Sequence, residues 1–146
     1  MYDSVYPTRT ARFGVALVPG GTLKLKHAIH ALDTRPIDPE CECRVCAAHS
    51  RAFLHPLVAR GLPFAANLLS YHNIAFMMRL AARIRAAIQE NRMAEFVRGE
   101  VAAHFPRGDA PAWVAEGCAL AGIALPAGRG GADAGVAEDG GVADGG

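Results

Sequence analysis

The sequence lacks any apolar run approaching the roughly 18 residues that a membrane-spanning helix needs. Its opening, MYDSVYPTRTAR, has no apolar region of the kind a secretory signal requires. No stretch before Leu125 is rich enough in Gly, Ser or Pro to mark an internal linker, and 146 residues are too few for two ordinary domains. A strong charge of either sign is also missing: the formal net charge is +1. Residues 1–125 carry 14 basic and 10 acidic side chains, an excess that permits a nucleic-acid partner without requiring one. These absences leave one soluble, cytoplasmic domain with a real core, consistent with 51% apolar and 20% charged residues.

The composition shifts at the C-terminus. PAGRGGADAGVAEDGGVADGG, the last 21 residues, holds eight of the 16 glycines, no aromatic residue and no repeating apolar face. Residues 126–146 are therefore expected to be a disordered tail and residues 1–125 the ordered domain.

Within that domain, two short runs flank Pro19-Gly20-Gly21, and the second alternates Leu23 and Leu25 with Lys24 and Lys26, which predicts a β-hairpin. A helix is expected from Cys46 to Arg60, stopped by Gly61. A longer one is expected from about Pro63 to Gln89, with Leu69, His72, Phe76, Leu80 and Ile84 on one face. Shorter helices fit Met93–His104 and Ala112–Ala121. The opening reads as the end of a strand entering a loop, with nothing before it for that strand to join, so the start looks cut.

Cysteine is scarce, yet three of the four crowd into six residues of DPECECRVCAAHS. Reduced thiols are expected in a cytoplasmic chain, and Cys41 and Cys43 are too close for an easy disulfide. Metal binding explains Cys-x-Cys-x-x-Cys better than three small buried side chains would, because three thiolates can turn inward around one soft cation. A fourth ligand must close the tetrahedron. His49 lies one turn after Cys46, and His72 occupies the apolar stripe of the long helix, where an unpaired imidazole is costly; spacing alone leaves both open. Cys118, far from the cluster, reads as core. A closed four-ligand site is structural, since catalytic zinc keeps a position open for water. The metal thus accounts for folding, and chemistry must come from elsewhere.

Asp3 stands at the expected strand end, followed by Pro7-Thr8-Arg9 and then Arg12. Strand ends facing a loop are where barrel and open α/β proteins carry reactive groups, whereas an Asp before a turn is more often a cap.

Together and in this order, MYDSVYPTRTARFG, DPECECRVC, HSRAFLH and HNIAF resemble the C-terminal part of the tRNA-guanine transglycosylases, the queuine tRNA-ribosyltransferases, over about residues 1–105. Residues 112–125 are more similar to the tail of the eukaryotic catalytic subunit. The resemblance implies an α/β fold: the C-terminal fragment of a (β/α)8 barrel carrying an inserted zinc-binding subdomain, mostly helical after the hairpin. It implies Zn²⁺ on Cys41, Cys43, Cys46 and His72, the last being the histidine of the family's His-Asn pair. It implies Asp3 as the catalytic nucleophile, and Arg9, Arg12 and Thr8 where the family grips the anticodon loop. The implied partners are tRNA, a deazaguanine base (queuine or its precursor), and a second subunit in a homodimer or a heterodimer with an accessory subunit. The base pocket and the second aspartate of such an enzyme would precede Met1, so this chain is expected to be a truncated piece, inactive alone. Two rivals are the non-catalytic accessory subunit and a free-standing zinc-stabilised RNA-binding or dimerisation module.

Overall fold

A computed structural model of the chain describes residues 3–126. The expected tail lies, from residue 127 onward, outside the described residues. The elements run α1 (Tyr6–Arg12), β1 (Val15–Val18), β2 (Gly21–Lys24), a single 3-10 turn (Ala28–His30), α2 (Arg44–Ala48), α3 (Arg51–Ala59), α4 (Pro63–Gln89), α5 (Met93–His104) and α6 (Ala112–Leu120).

The hairpin is the one the sequence predicts. β1 and β2 pair antiparallel, with Val15 opposite Lys24 and Val18 opposite Gly21. Pro19 presets the first turn position, and Gly20 takes the left-handed φ of +77° that the second position of a type II turn requires. A side chain at Gly20 would also collide with α5, because its Cβ would lie 2.6 Å from the Ala103 carbonyl oxygen. Among the described residues this antiparallel pair is the whole sheet. The fold is mostly helical, with one short two-stranded sheet.

Two expectations need correction. The segment after Asp3 is not a loop: Pro7 stands at the start of α1, where its missing N–H and fixed φ suit a first turn, and the PTRTAR segment is helical, while the strand end expected before it falls on residues 1–2, outside the described residues. The helix expected from Cys46 to Arg60 is in fact two. His49 and Ser50 are extended, and the Ser50 hydroxyl accepts a hydrogen bond from the Phe53 N–H at 3.2 Å, capping a new helix. The restart is anchored from outside, since the Arg51 and Ala52 N–H groups donate to the carbonyls of Arg35 and Asp33 at 2.9 and 2.8 Å. Periodicity alone could not reveal those partners.

The core joins Ala11 of α1, Ala16 of β1, Leu25, Ile37, Val45 and Cys46 of α2, Leu54 and Val58 of α3, and Ala65 and Leu69 of α4. α4 is the spine on which α1, β1, α2 and α3 all pack. Its predicted face is buried at Leu69 and His72 and half-buried at Phe76, Leu80 and Ile84. The opposite side of the same helix is also apolar, yet Phe64, Tyr71, Ile74 and Met78 are exposed. No described helix is long and apolar enough to cross a membrane.

Candidate metal centre and the adjoining N-terminal segment

Three sulfurs and one imidazole nitrogen converge where α2 meets α4. The donor atoms of Cys41, Cys43, Cys46 and His72 all lie within 4.8 Å of one another. The His72 Nδ1 is 3.3 Å from Cys46 Sγ, 3.6 Å from Cys43 Sγ and 3.8 Å from Cys41 Sγ. A tetrahedron with metal–sulfur bonds of about 2.3 Å and a metal–nitrogen bond of about 2.0 Å has sulfur–nitrogen edges of about 3.5 Å, so the set is shaped for one cation.

The chemistry of the donors agrees. His72 Nε2 lies 2.8 Å from the Leu17 carbonyl oxygen, an acceptor, so Nε2 carries the proton and donates it. The lone pair of Nδ1 is then left facing the sulfurs, the tautomer a metal ligand needs. Burial holds the His72 pKa below its ordinary 6.5, against the opposing pull of the Leu17 carbonyl, and keeps the ring neutral. Burial pushes the Cys46 thiol up to about 12, and the neighbouring sulfurs Cys43 and Cys41 add to the rise. Burial raises Cys41 as well. Thiols this reluctant to ionise alone become thiolates when a cation displaces their protons.

His49, the other candidate by spacing, is elsewhere: it stacks on Phe53 with ring centroids 4.6 Å apart. Cys118 is buried as expected, although Trp113 and Leu120 on the same helix are exposed.

The loop before the cluster is shaped by two arginines. Arg51 spreads its guanidinium over the Pro36 and Ile37 carbonyl oxygens (2.8 and 2.9 Å) and Asp33 (3.0 Å). Asp33 is held well below the usual carboxylate range, first by its hydrogen bonds from Arg35. Arg79, two helical turns beyond His72 on α4, donates to the buried Asp38 carboxylate at 2.6 Å and to the Glu40 carbonyl at 3.0 Å. Asp38 in turn accepts from the Glu40 N–H through its carboxylate and from the Cys41 N–H through its carbonyl. One helix thus supplies a donor to the cluster and a clamp on the turn that presents Cys41.

The N-terminal segment lies against this unit. α1 buries Pro7 and Ala11 against α4 and leaves Arg9 and Arg12, three positions apart, exposed on its outer side. Asp3 is exposed just before the helix. The helix-start hydrogen bond goes to its neighbour, the Ser4 hydroxyl accepting from the Tyr6 N–H at 3.2 Å, so capping is not what Asp3 does among the described residues. The Thr8 hydroxyl donates to the Val5 carbonyl at 3.1 Å.

Sequence reasoning missed the groups that tie these parts together. Asn73 is fully buried and makes four hydrogen bonds: Nδ2 donates to the Pro7 and Val15 carbonyls, each at 3.0 Å, and to the Thr10 hydroxyl at 3.3 Å, while Oδ1 accepts from the Leu17 N–H at 2.9 Å. Its signal was its position beside His72 on an apolar stripe. Asp38, Arg51 and Arg79 carried no sequence signal beyond being charged.

Residues 1–106 match the family model for queuine tRNA-ribosyltransferase. The chain belongs to the queuine tRNA-ribosyltransferase family. It is 43% identical over 122 residues to a queuine tRNA-ribosyltransferase of Thermus thermophilus, covering 84% of this chain and 31% of that protein. Against the Streptococcus thermophilus protein of the same name it is 44% identical over 96 residues, 66% of this chain and 25% of the relative. The Aliivibrio fischeri protein is 42% identical over 97 residues, with 66% and 26% covered. The chain therefore spans about a third or less of the length of these relatives. All four donors of the cluster, Asp3 and both arginines fall within the residues that match the queuine tRNA-ribosyltransferase model.

Proposed function

We propose that this chain is the zinc-bearing C-terminal part of a tRNA-guanine transglycosylase, which replaces the anticodon wobble guanine of tRNA by queuine or a precursor deazaguanine. The observation that carries the reading is the arrangement of one unit: a Cys3His cluster formed by the turn before α2, α2 itself and α4, and docked on the same α4 a helix whose exposed side presents Arg9 and Arg12 a few residues after an exposed Asp3. The queuine tRNA-ribosyltransferases of Thermus thermophilus and Streptococcus thermophilus, 43% and 44% identical over the shared residues, support the same reading.

Cys41, Cys43, Cys46 and His72 would hold the ion, and three sulfurs with one imidazole favour Zn²⁺. With four protein ligands the ion would supply folding energy rather than activate water.

Asp3 would act as the nucleophile. Its carboxylate oxygen forms a bond to the anomeric carbon of the target nucleotide as the carbon–nitrogen bond to guanine breaks, and guanine leaves with the bonding pair and takes up a proton. The incoming base then attacks the same carbon and loses a proton, and the carboxylate is released unchanged. The RNA strand is never cut. Arg9 and Arg12 would hold the phosphates of the anticodon loop while the target base is turned out of its stack. Thr8, whose proton is committed to Val5, would accept rather than donate there.

The exposed apolar face of α4, Phe64, Tyr71, Ile74 and Met78, supports placement of this segment against a (β/α)8 barrel. The exchange is thus proposed for an enzyme of the relatives' full length, working as a homodimer or with an accessory subunit, and the 146 residues alone would bind RNA without exchanging a base.

Incubation of such a full-length enzyme with tRNA, in the absence of incoming base, tests the proposal on denaturing gels. A covalent RNA–protein adduct is expected, and Asp3→Asn should abolish it, since an amide cannot form the ester-like link. An adduct that survives Asp3→Asn removes Asp3 from the role.

A further inference from the structure

Two adjacent residues of α4 hold both backbone groups of one residue in β1. His72 Nε2 donates to the Leu17 carbonyl at 2.8 Å, and Asn73 Oδ1 accepts from the Leu17 N–H at 2.9 Å. His72 turns its other nitrogen to the three sulfurs. Asn73 turns its other end to α1 and the start of β1, through Pro7, Thr10 and Val15. From these contacts we infer that Asn73 is a positioning residue that couples the metal cluster to the N-terminal helix, so that metal binding sets the placement of the Asp3–Arg12 segment. The relevance to base exchange rests on the function proposed above; the coupling itself does not.

The physical basis is burial. His72 and Asn73 are both fully buried, as is Ala16 in β1, and Leu17 and Ala11 are nearly so. A buried amide that loses a partner cannot turn to water, so its bonds are made together or given up together. When the cation is bound, the His72 ring is fixed from the Nδ1 side, which fixes the Leu17 carbonyl. The next peptide groups of β1 follow, and Asn73 passes that placement to the Pro7 carbonyl in the first turn of α1. The Pro7 and Val15 carbonyls, eight positions apart in sequence, share one –NH2 group, so α1 cannot slide along β1 without breaking one of its bonds. A buried Asn serving only to fill space would need no such convergence of two elements upon it.

Coupling is reciprocal and can be read as a difference of differences. Amide hydrogen exchange of the 146-residue chain is measured with zinc bound and after chelation, in the native sequence and in Asn73→Asp. That variant keeps an acceptor for the Leu17 N–H but sets carboxylate oxygen against the Pro7 and Val15 carbonyls. In the native chain, chelation should speed exchange of the α1 amides about tenfold or more, the effect of losing one or two buried hydrogen bonds. In Asn73→Asp the α1 amides should already exchange fast with metal bound, and chelation should add less than about twofold. The cobalt(II)-thiolate absorption of the variant, a signature a general loss of structure would erase, should persist. If Asn73→Asp does not fold, Asn73→Ala, which removes the donor without adding charge, takes its place with the same expectation. Protection of α1 that ignores the metal in the native chain overturns the inference while leaving the metal site standing. Undiminished metal dependence in the Asn73 variants overturns it as well. A native chain that takes up no zinc or cobalt removes both the metal site and the coupling.

Discussion

The two ends of α4 contact very different surroundings. Its N-terminal half buries Ala65, Leu69, His72 and Asn73 among α1, β1, α2 and α3, and its polar groups reach partners more than 50 positions away in sequence. Its C-terminal half meets α5, which buries no residue at all, and α6 beyond it buries Val114 and Cys118 while exposing Trp113 and Leu120. In the first region order comes from specific convergence: a few buried polar side chains each satisfy several groups at once. In the second the contacts are shallower: Phe96, Val97 and Val101 are only half-buried, and ion pairs such as Arg83 with Glu100 and Arg92 with Glu90 lie at the surface, where they contribute little. The metal cluster sits wholly in the first, so changes to it should be felt there and scarcely in α5 and α6.

The largest effect should come from His72→Ala. It deletes one of four ligands and the Leu17 contact, and should weaken metal binding more than about a hundredfold in a chelator competition. His49→Ala, which removes a ring stacked on Phe53, should leave affinity within about threefold, near the noise of surface changes. The reverse ranking would mean that His49 enters the site in solution. A smaller loss, about ten- to a hundredfold, is expected for Arg79→Met, because the Asp38–Glu40 turn that presents Cys41 loses its clamp. Arg79→Lys, which can reach one acceptor but not both, should fall between.

Acidity sharpens the same contrast. In the metal-free chain, burial holds His72 and His30 below the ordinary 6.5, so the unfolded state binds more protons once the pH drops below 6.5. Stability is then lost as pH falls through that value. Cys46 and Cys41 are raised above the ordinary 9.0, so the unfolded state gives up protons first as pH rises past 9.0, and stability is lost again. Denaturant midpoints in chelator at about pH 5.5, 7.5 and 9.5 should peak at the middle value. With metal bound the alkaline loss should disappear, since the thiols are already ionised. A metal-free midpoint that keeps rising at alkaline pH would contradict the assigned burial of the sulfurs.

The smallest effect belongs to the second region. Trp113→Ala on the exposed side of α6 should cost less than about 0.5 kcal/mol, whereas Leu69→Ala on α4 should cost about 2–5 kcal/mol. A large loss at Trp113 would show that α6 docks more firmly than its exposure indicates.

Much of the site could be read from the sequence because cysteine spacing is a local signal. Cys41, Cys43 and Cys46 lie within one turn of chain, and the ligand geometry follows from residue type. His72 could be named as an oddity on an apolar stripe, but choosing it over His49 required the family resemblance, since spacing carries no information about which helix folds back. The hairpin and α4 were legible from alternation and periodicity. The break at His49–Ser50 was not, because its cause is the distant carbonyls of Asp33 and Arg35. Helix α1 was missed for a related reason: seven residues holding a proline and two threonines have little helix propensity, and the segment is helical because Pro7 and Ala11 pack on α4 and Asn73 holds its first turn. The clamps at Asn73, Arg51 and Arg79 bridge 14 to 66 positions, and single-sequence patterns do not register pairings at that range.

One cation held by three sulfurs and His72 Nδ1 would anchor the segment carrying Asp3, Arg9 and Arg12. X-ray absorption at the metal edge of protein purified without added metal tests it most directly. One zinc per chain is expected, with about three sulfur neighbours at ~2.3 Å and one nitrogen at ~2.0 Å, the nitrogen shell vanishing in His72→Ala. A chain that carries no metal, or a nitrogen shell that survives in His72→Ala, would contradict it.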